Sequence, residues 1–237
     1  MENANQNDIY YEIYIKDQPA SEIIQRVNLF DIYDTSKKYT SSRTITYYDT
    51  PDNRLDLAKI ILSTDIEDGK GEIVLEKNID DDPNAKYIKM FSIYKLSTPI
   101  VSGSKPENNI PFLRDSLPRL FQTPLNIDPE YIFRKVVPKY EVLISNEHYK
   151  VVNVHGFKVI ITVEHTIFHN LTNDRKNFVT FVRLRESEDS ISHELDDFVR
   201  RLEKYCKFIL RIDENKYNQC VRMTRDLPKV EKKSKKW

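Results

Sequence analysis

Glycine is scarce, with four residues in a chain of 237. So little glycine, and the absence of any Pro/Gly/Ser-rich stretch, argues against a flexible linker and for one domain over residues 1–228. Phosphate-cradling P-loops, dinucleotide fingerprints, nucleophile elbows and zinc-ligand spacings are all missing. Net charge is missing too: 37 Lys and Arg balance 37 Asp and Glu, so no global field steers the protein toward nucleic acid or an anionic membrane, and any anion site must be local. Cysteine is limited to Cys206 and Cys220, which reads as buried thiols in a reducing compartment rather than a disulfide framework. No apolar run approaches membrane-spanning length, and Met1 to Asp8 has neither a basic region nor an apolar core. The expectation is a cytoplasmic protein with no membrane partner.

What is present is mostly strand pattern. Ile9, Tyr11, Ile13 and Ile15 alternate with Tyr10, Glu12, Tyr14 and Lys16, which predicts a strand with one packed and one polar face. Arg43 to Tyr48 is β-branched and aromatic, and it stops at Asp49-Thr50-Pro51-Asp52-Asn53, a turn-forming run in which Pro51 holds Thr50 extended. Ile60 to Asp65 predicts the next strand, Gly69-Lys70-Gly71 a tight turn, and Glu72 to Lys77 its return. Lys86 to Leu96 predicts a strand and Ser97 to Asn109 the longest loop. Tyr131 to Ile144 is strand-like but interrupted at Pro138, which points to an edge, a bulge or a break. Tyr149 to Val154 and Lys158 to Phe168 predict a hairpin turning at His155-Gly156, with Ile160, Thr162, Glu164 and Thr166 on one face, and Asn177 to Glu186 is the last long strand. His165 and His169 share a face about 13 Å apart, too far for one metal, and read as structural.

Helical periodicity appears in Ala20 to Phe30, Pro111 to Phe121 and, most clearly, Ser190 to Phe208, whose stripe includes Leu195, Phe198, Val199 and Leu202. Asp213 to Tyr217 opens a last helix, and residues 229–237 form a basic, disordered-type tail. Asp80-Asp81-Asp82 reads as a solvated loop.

The string Tyr47-Tyr48-Asp49-Thr50-Pro51, followed by Leu55 and Ala58, closely resembles a signature of the CYTH superfamily of class IV adenylate cyclases, thiamine triphosphatases and other triphosphate tunnel enzymes. The resemblance implies an α+β, mainly β fold: an antiparallel eight-stranded β-barrel or tunnel with flanking helices. It also implies cations that grip a triphosphate, and carboxylates that hold Mg2+ or Mn2+. Glu12 and Lys16 match the first-strand pattern, with Tyr14 in place of a second Glu. Lys77 matches a phosphate-binding lysine, Arg134, Lys135 and Lys139 fall where relatives place a basic strand, and Asn215-Lys216-Tyr217 is similar to a C-terminal Ser-Lys-Tyr. Glu164 lies near a family aspartate. Ser63 and Asp65 stand where active relatives carry arginines, while Arg183 and Arg185 stand where they carry Glu-x-Glu.

The phosphate-binding set implied by the resemblance is therefore Lys16, Lys77, Arg134, Lys135, Lys139, Arg183, Arg185 and Lys216, and the metal set is reduced to Glu12 and Glu164. The leading expectation is a tunnel-fold protein that binds a triphosphate, polyphosphate or other phosphorylated small molecule, with metal-dependent catalysis weakened or lost. One alternative is an active metal-dependent triphosphatase with a rearranged acidic set of Glu72, Glu76, Glu164 and Glu186. The other is a non-catalytic scaffold or subunit binding a protein or nucleic acid partner. Strand alternation puts Arg183 and Arg185 on one face and Phe178, Thr180, Val182 and Leu184 on the other, and leaves open which of the two faces the cavity.

Overall fold

The computed structural model describes residues 10–15, 34–77, 95–100, 111–112, 114–116, 134–153, 155–187, 194–205, 209–211 and 215–225. The strands are β1 (Tyr10–Ile15), β2 (Asp34–Asp49), β3 (Ile60–Glu67), β4 (Lys70–Lys77), β5 (Lys95–Ile100), β6 (Val137–Val152), β7 (Lys158–Asn170), β8 (Arg175–Glu186) and β9 (Ile209–Arg211). Three helices carry labels here: α1 (Arg54–Leu57), α2 (Leu195–Tyr205) and α3 (Lys216–Met223). All nine strands form one sheet in the order β5-β4-β3-β2-β6-β7-β8-β1-β9, and every neighbouring pair is antiparallel. The mainly β, antiparallel architecture with flanking helices is the one the sequence led us to expect. Among the described residues the two end strands, β5 and β9, share no ladder.

The two faces of the sheet do different jobs. On one, Val159, Ile161, Val163, Val182 and Leu184 pack under Leu195, Phe198, Val199 and Leu202 of α2. Those four helix residues recur at three- and four-residue spacing, so one stripe is buried, each side chain contributing about 1.5–3 kcal/mol. Further round the same face, Ile60, Leu62, Ile73 and Leu75 pack with Leu55 of α1 and with Phe112. On the opposite face a single cluster runs from Ile61 on β3 through Ile45 and Tyr47 on β2, Val142 and Ile144 on β6 and Phe168 on β7 to Val179 and Phe181 on β8, closed by Cys220 of α3. One two-turn helix can fill a cluster spanning five adjacent strands only if that face is concave. Irregularities help the long strands bend: the β2–β6 register shifts between Lys37 and Tyr39 and again between Tyr47 and Tyr48, adding one unpaired residue each time.

Several boundaries differ from the sequence reading. Tyr131 to Ile144 and Tyr149 to Val154 are not two strands, because β6 runs unbroken over Val137–Val152 and absorbs Pro138 at the second bulge, where Lys139 is the extra residue. Ser97 to Ile100 are strand rather than loop, since they extend β5 along the edge of β4. The β3–β4 turn is Asp68-Gly69, both at positive φ, rather than Gly69 to Gly71; an Asp-Gly pair suits the two-residue hairpin whose twist matches its strands. The short strand β9 carries no clear pattern and went unforeseen; β1 supplies its partner. Residues 111–112 and 114–116 are helical, in line with the helix expected from Pro111. Ala20 to Phe30, the Asp80 to Asp82 run, Cys206 and the basic tail lie outside the described residues.

Candidate anion site on the concave face

Strand register sorts the concave face into layers. Ile45, Val142 and Phe168 form an apolar row, and Tyr47 lies beyond it; α3 packs here, with Tyr217 edge-on to Tyr47 and Tyr140 at centroid distances of 5.2 and 5.9 Å. Asn215 starts that helix by accepting a hydrogen bond from the Asn218 backbone N–H at 2.8 Å. One layer up are Arg43, Ile144, Thr166 and Val179; then Ser41, Asn146, Glu164 and Phe181; then Tyr39, His148, Thr162 and Arg183. Apolar filling at one end gives way to polar residues at the other.

Glu164 is at the centre of this polar end and is fully buried. Lys216 Nζ lies 2.6 Å from its Oε1, Arg183 Nη2 2.8 Å from its Oε2, and Thr166 Oγ1 donates to Oε1 at 2.6 Å. Arg183 approaches off the hydrogen-bond axis, so Oε2 receives its charge without a well-aligned N–H. Burial alone would raise the Glu164 carboxyl, but the charges of Lys216 and Arg183 outweigh it and hold the group down at about 2. Lys216 also sits 3.8 Å from the Phe181 ring centroid, a cation–π contact, and donates to Gln219 Oε1 at 3.1 Å.

A second pair, Arg43 with Asp65, spans β2 and β3 through two parallel hydrogen bonds, one of them 2.8 Å from Arg43 Nε to Asp65 Oδ1. Burial disfavours the Arg43 charge, Asp65 more than restores it, and Arg183 acts against it from across the concavity. The two guanidinium groups therefore sense one another.

The expected site residues distribute unevenly. Arg183, Lys216 and Glu164 come together. Arg185 shares the Arg183 face but is exposed, and Glu12 is the register partner of Arg183. Lys77 ends β4 opposite Ile60, and Lys16 lies outside the described residues. Arg134 and Lys135 are exposed on a helical turn before β6, not on a basic strand. Lys139 sits at the β6 bulge, where its Nζ reaches Pro51 O at 3.4 Å; it is seven residues along β6 from Asn146, roughly 20 Å from the Glu164 layer. The rearranged acidic set cannot assemble, because Glu186 is the register partner of Val159, whose side chain packs on the convex face, whereas Glu164 points the other way. His165 and His169 engage Thr180 and Asp174 at 3.2 and 2.7 Å, each in a separate contact.

A divalent ion does not suit the described part of this site. Both oxygens of Glu164 are occupied by cationic groups, and among the described residues no cluster of three or more His, Cys, Asp or Glu side chains exists. Arg43, Asp65, Ser41, Asn146, His148 and Thr162 were missed as site residues. Period-two alternation from Tyr47 back to Ser41 places two of them on one face, but the pairing that brings β6 and β7 alongside is long-range.

The Tyr47 to Ala58 signature itself is a corner. Asp49 Oδ1 accepts from the Thr50 and Leu55 N–H groups at 2.7 and 2.9 Å, and its Oδ2 from Asp56 N–H at 3.1 Å. Thr50 Oγ1 accepts from Arg54 N–H at 2.9 Å, and Asn53 takes the left-handed conformation that starts α1. Tyr217 Oη donates to Asp56 Oδ1 at 3.1 Å, tying this corner to α3.

No family model and no curated protein matches the sequence. Among solved structures, the chain is similar to the adenylyl cyclase candidate HpAC1 from Hippeastrum, whose dominant activity is that of a triphosphatase, with a TM-score of 0.59 and 12% identity over 93% of this chain and 98% of that one. An adenylate cyclase candidate from Bacillus halodurans aligns with a TM-score of 0.46 and 12% identity over 90% and 97% of the two chains. The capping-enzyme triphosphatase of Mimivirus aligns with a TM-score of 0.28 and 9% identity over 92% and 91%. The match to the Hippeastrum protein, along nearly the whole of both chains, shows that the two share a fold.

Proposed function

We propose that the polar end of the concave face binds a triphosphate or another phosphorylated anion through Arg43, Arg183 and Lys216, and that metal-dependent catalysis is weakened or lost. The observation that carries this reading is the state of Glu164, which is neutralised by Lys216 at 2.6 Å and Arg183 at 2.8 Å and so cannot also neutralise a divalent ion. Replacing family carboxylates by Arg183 and Arg185 moves the site from holding a metal to holding an anion directly, as guanidinium groups do well. Each arginine is held by a carboxylate, Arg43 by Asp65 and Arg183 by Glu164, which fixes the position of the guanidinium group that a ligand would meet. A metal, where bound in this fold, supplies charge neutralisation and positions or activates water; toward the bound anion, Arg43, Arg183 and Lys216 supply charge and position.

The test has two arms. Tripolyphosphate titrated in EDTA is expected to raise the thermal midpoint, since a ligand at a hundredfold excess over its dissociation constant adds about 2.7 kcal/mol. Phosphate release from tripolyphosphate, ATP and thiamine triphosphate with Mg2+ or Mn2+ is expected to stay far below about ten turnovers per second. Rapid turnover abolished by Glu12→Gln would establish the active-triphosphatase alternative. A folded protein that no phosphate ligand stabilises would instead favour the scaffold reading, to which the convex row of exposed Leu143 and Phe178 with half-buried Ile167 between them is suited.

A further inference from the structure

Beside the two arginines lies a relay of polar side chains that anion binding does not use. Asn146 Nδ2 donates to Ser41 Oγ at 3.3 Å, Ser41 Oγ is 3.2 Å from His148 Nε2, and His148 Nδ1 is 3.0 Å from Thr162 Oγ1. Ser41 is nearly buried at 8% exposure and has no other partner among the described residues. With Asn146 Nδ2 donating to Ser41 Oγ, His148 Nε2 is the acceptor within reach of the hydroxyl proton, and a buried donor left without an acceptor costs about 1–3 kcal/mol. An imidazole that accepts at Nε2 carries its proton on Nδ1 and gives it to Thr162. This is the neutral tautomer that a general base requires. Tyr39 stacks on the imidazole at 4.1 Å with 22° between planes, which holds the ring in position. A hydroxyl within reach of a base, and a base oriented by a third group, is the arrangement of an activated nucleophile.

Phosphate-binding groups flank that hydroxyl. Arg43 is two residues along β2 on the same face, and Arg183 is the register partner of Thr162. Asn146 Oδ1, buried and without a hydrogen-bond partner among the described residues, marks an unfilled polar position in the same layer as Ser41.

We propose that Ser41 is a phosphoryl acceptor activated by His148, with a triphosphate bound to Arg43 and Arg183 as the donor; this rests on the anion-site reading above. Ser41 Oγ attacks the terminal phosphorus, forming an Oγ–P bond as the bridging P–O bond breaks, and the electron pair of that bond leaves with the diphosphate portion. The hydroxyl proton passes to His148 Nε2, and the resulting imidazolium keeps its Nδ1–H on Thr162. Arg43 and Arg183 take up charge on the transferring group. Thr162 is neutral where a carboxylate would stabilise the imidazolium, so the transfer is slow; the phosphoserine accumulates because hydrolysis of a phosphate monoester without an activated water is slower still.

The full chain, incubated with tripolyphosphate in EDTA, is followed by intact mass and peptide mapping, while calorimetric titration of the same sample reports binding. Expected is a gain of one phosphate on the peptide containing Ser41, lost in Ser41→Ala. His148→Gln should slow it by about 100-fold or more, the usual contribution of a general base. Binding without phosphate on Ser41, or phosphate on another residue, overturns the acceptor proposal and leaves the anion site standing. Absence of binding overturns the anion site, and the acceptor proposal with it. Because the wild-type map locates the phosphate directly, the outcome does not depend on either variant folding.

Discussion

Lys216 Nζ lies 2.6 Å from Glu164 Oε1, so the first turn of the last helix is fastened to the middle of a central strand through a carboxylate that is fully buried. The pair links α3, which fills the apolar end of the concave face, to the polar layers beside it. Breaking it from one side leaves a buried charge without compensation, and this governs the first two predictions.

Glu164→Gln should destabilise the protein by about 3–5 kcal/mol, the range for removing one partner of a buried ion pair. Adding Lys216→Met should recover part of that loss. Urea denaturation of the wild type, both single variants and the double variant gives the coupling directly. A single-variant loss below about 1 kcal/mol would mean that the pair does not hold α3.

Acid should act through the same carboxyl. Its folded pKa, about 2, is below the ordinary 4.5, so the folded state favours the ionised form. That contribution is fully present above the unfolded value and is lost as pH falls from about 4.5 toward about 2. The stability difference between wild type and Glu164→Gln should shrink over this window. A difference independent of pH from 6 down to about 2.5 would contradict the assignment.

Arg183 and Arg185 are next-but-one neighbours on β8 and should behave differently. Arg183→Gln removes a group that faces Glu164 and should weaken tripolyphosphate binding by at least tenfold at constant salt. Arg185→Gln removes an exposed charge, and its smaller effect should fade as ionic strength rises past 0.15 M, where the screening length is about 8 Å. Equal effects of the two substitutions would move the anion toward the rim of the sheet.

Asp49→Ala should cost about 1–3 kcal/mol, because Leu55 N–H, a buried donor, and those of Thr50 and Asp56 lose their acceptor. The measurement is the urea midpoint, with Asp52→Ala as a comparison because its carboxylate is exposed and meets the side chains of Thr50 and Arg54 rather than buried backbone N–H groups. A loss no larger than that of Asp52→Ala would show that the corner is held by Thr50 and Asn53 instead.

Much of the fold was legible from local pattern. Apolar and β-branched runs bounded by turn residues mark Ile60 to Asp65, Glu72 to Lys77, Lys158 to Phe168 and Asn177 to Glu186 as strands, because such side chains suit a pleated, buried surface. The stripe Leu195, Phe198, Val199 and Leu202 marks a helix because it repeats at the helical period. The Asp49 corner is legible for a similar reason: its hydrogen bonds reach at most seven residues along the chain. Lys216 and Glu164 were each identifiable as candidates, through resemblance and strand face.

Only tertiary structure decided which side chains share the site. Ser41 and His148 are 107 residues apart, Arg43 and Asp65 are 22, and no local periodicity encodes which strands become neighbours. The face chosen by Arg183 was open for the same reason. Alternation ties Arg183 to Arg185 and opposes both to Val182 and Leu184, but only the packing of Val182 and Leu184 under α2 turns the arginine toward Glu164. Sequence determined the strands, the helix stripe and the corner because those are short-range steric and hydrogen-bonding preferences. The meeting of Arg183 and Lys216 at Glu164, and of Arg43 with Asp65 on the same face, follows from long-range strand pairing around a shared core.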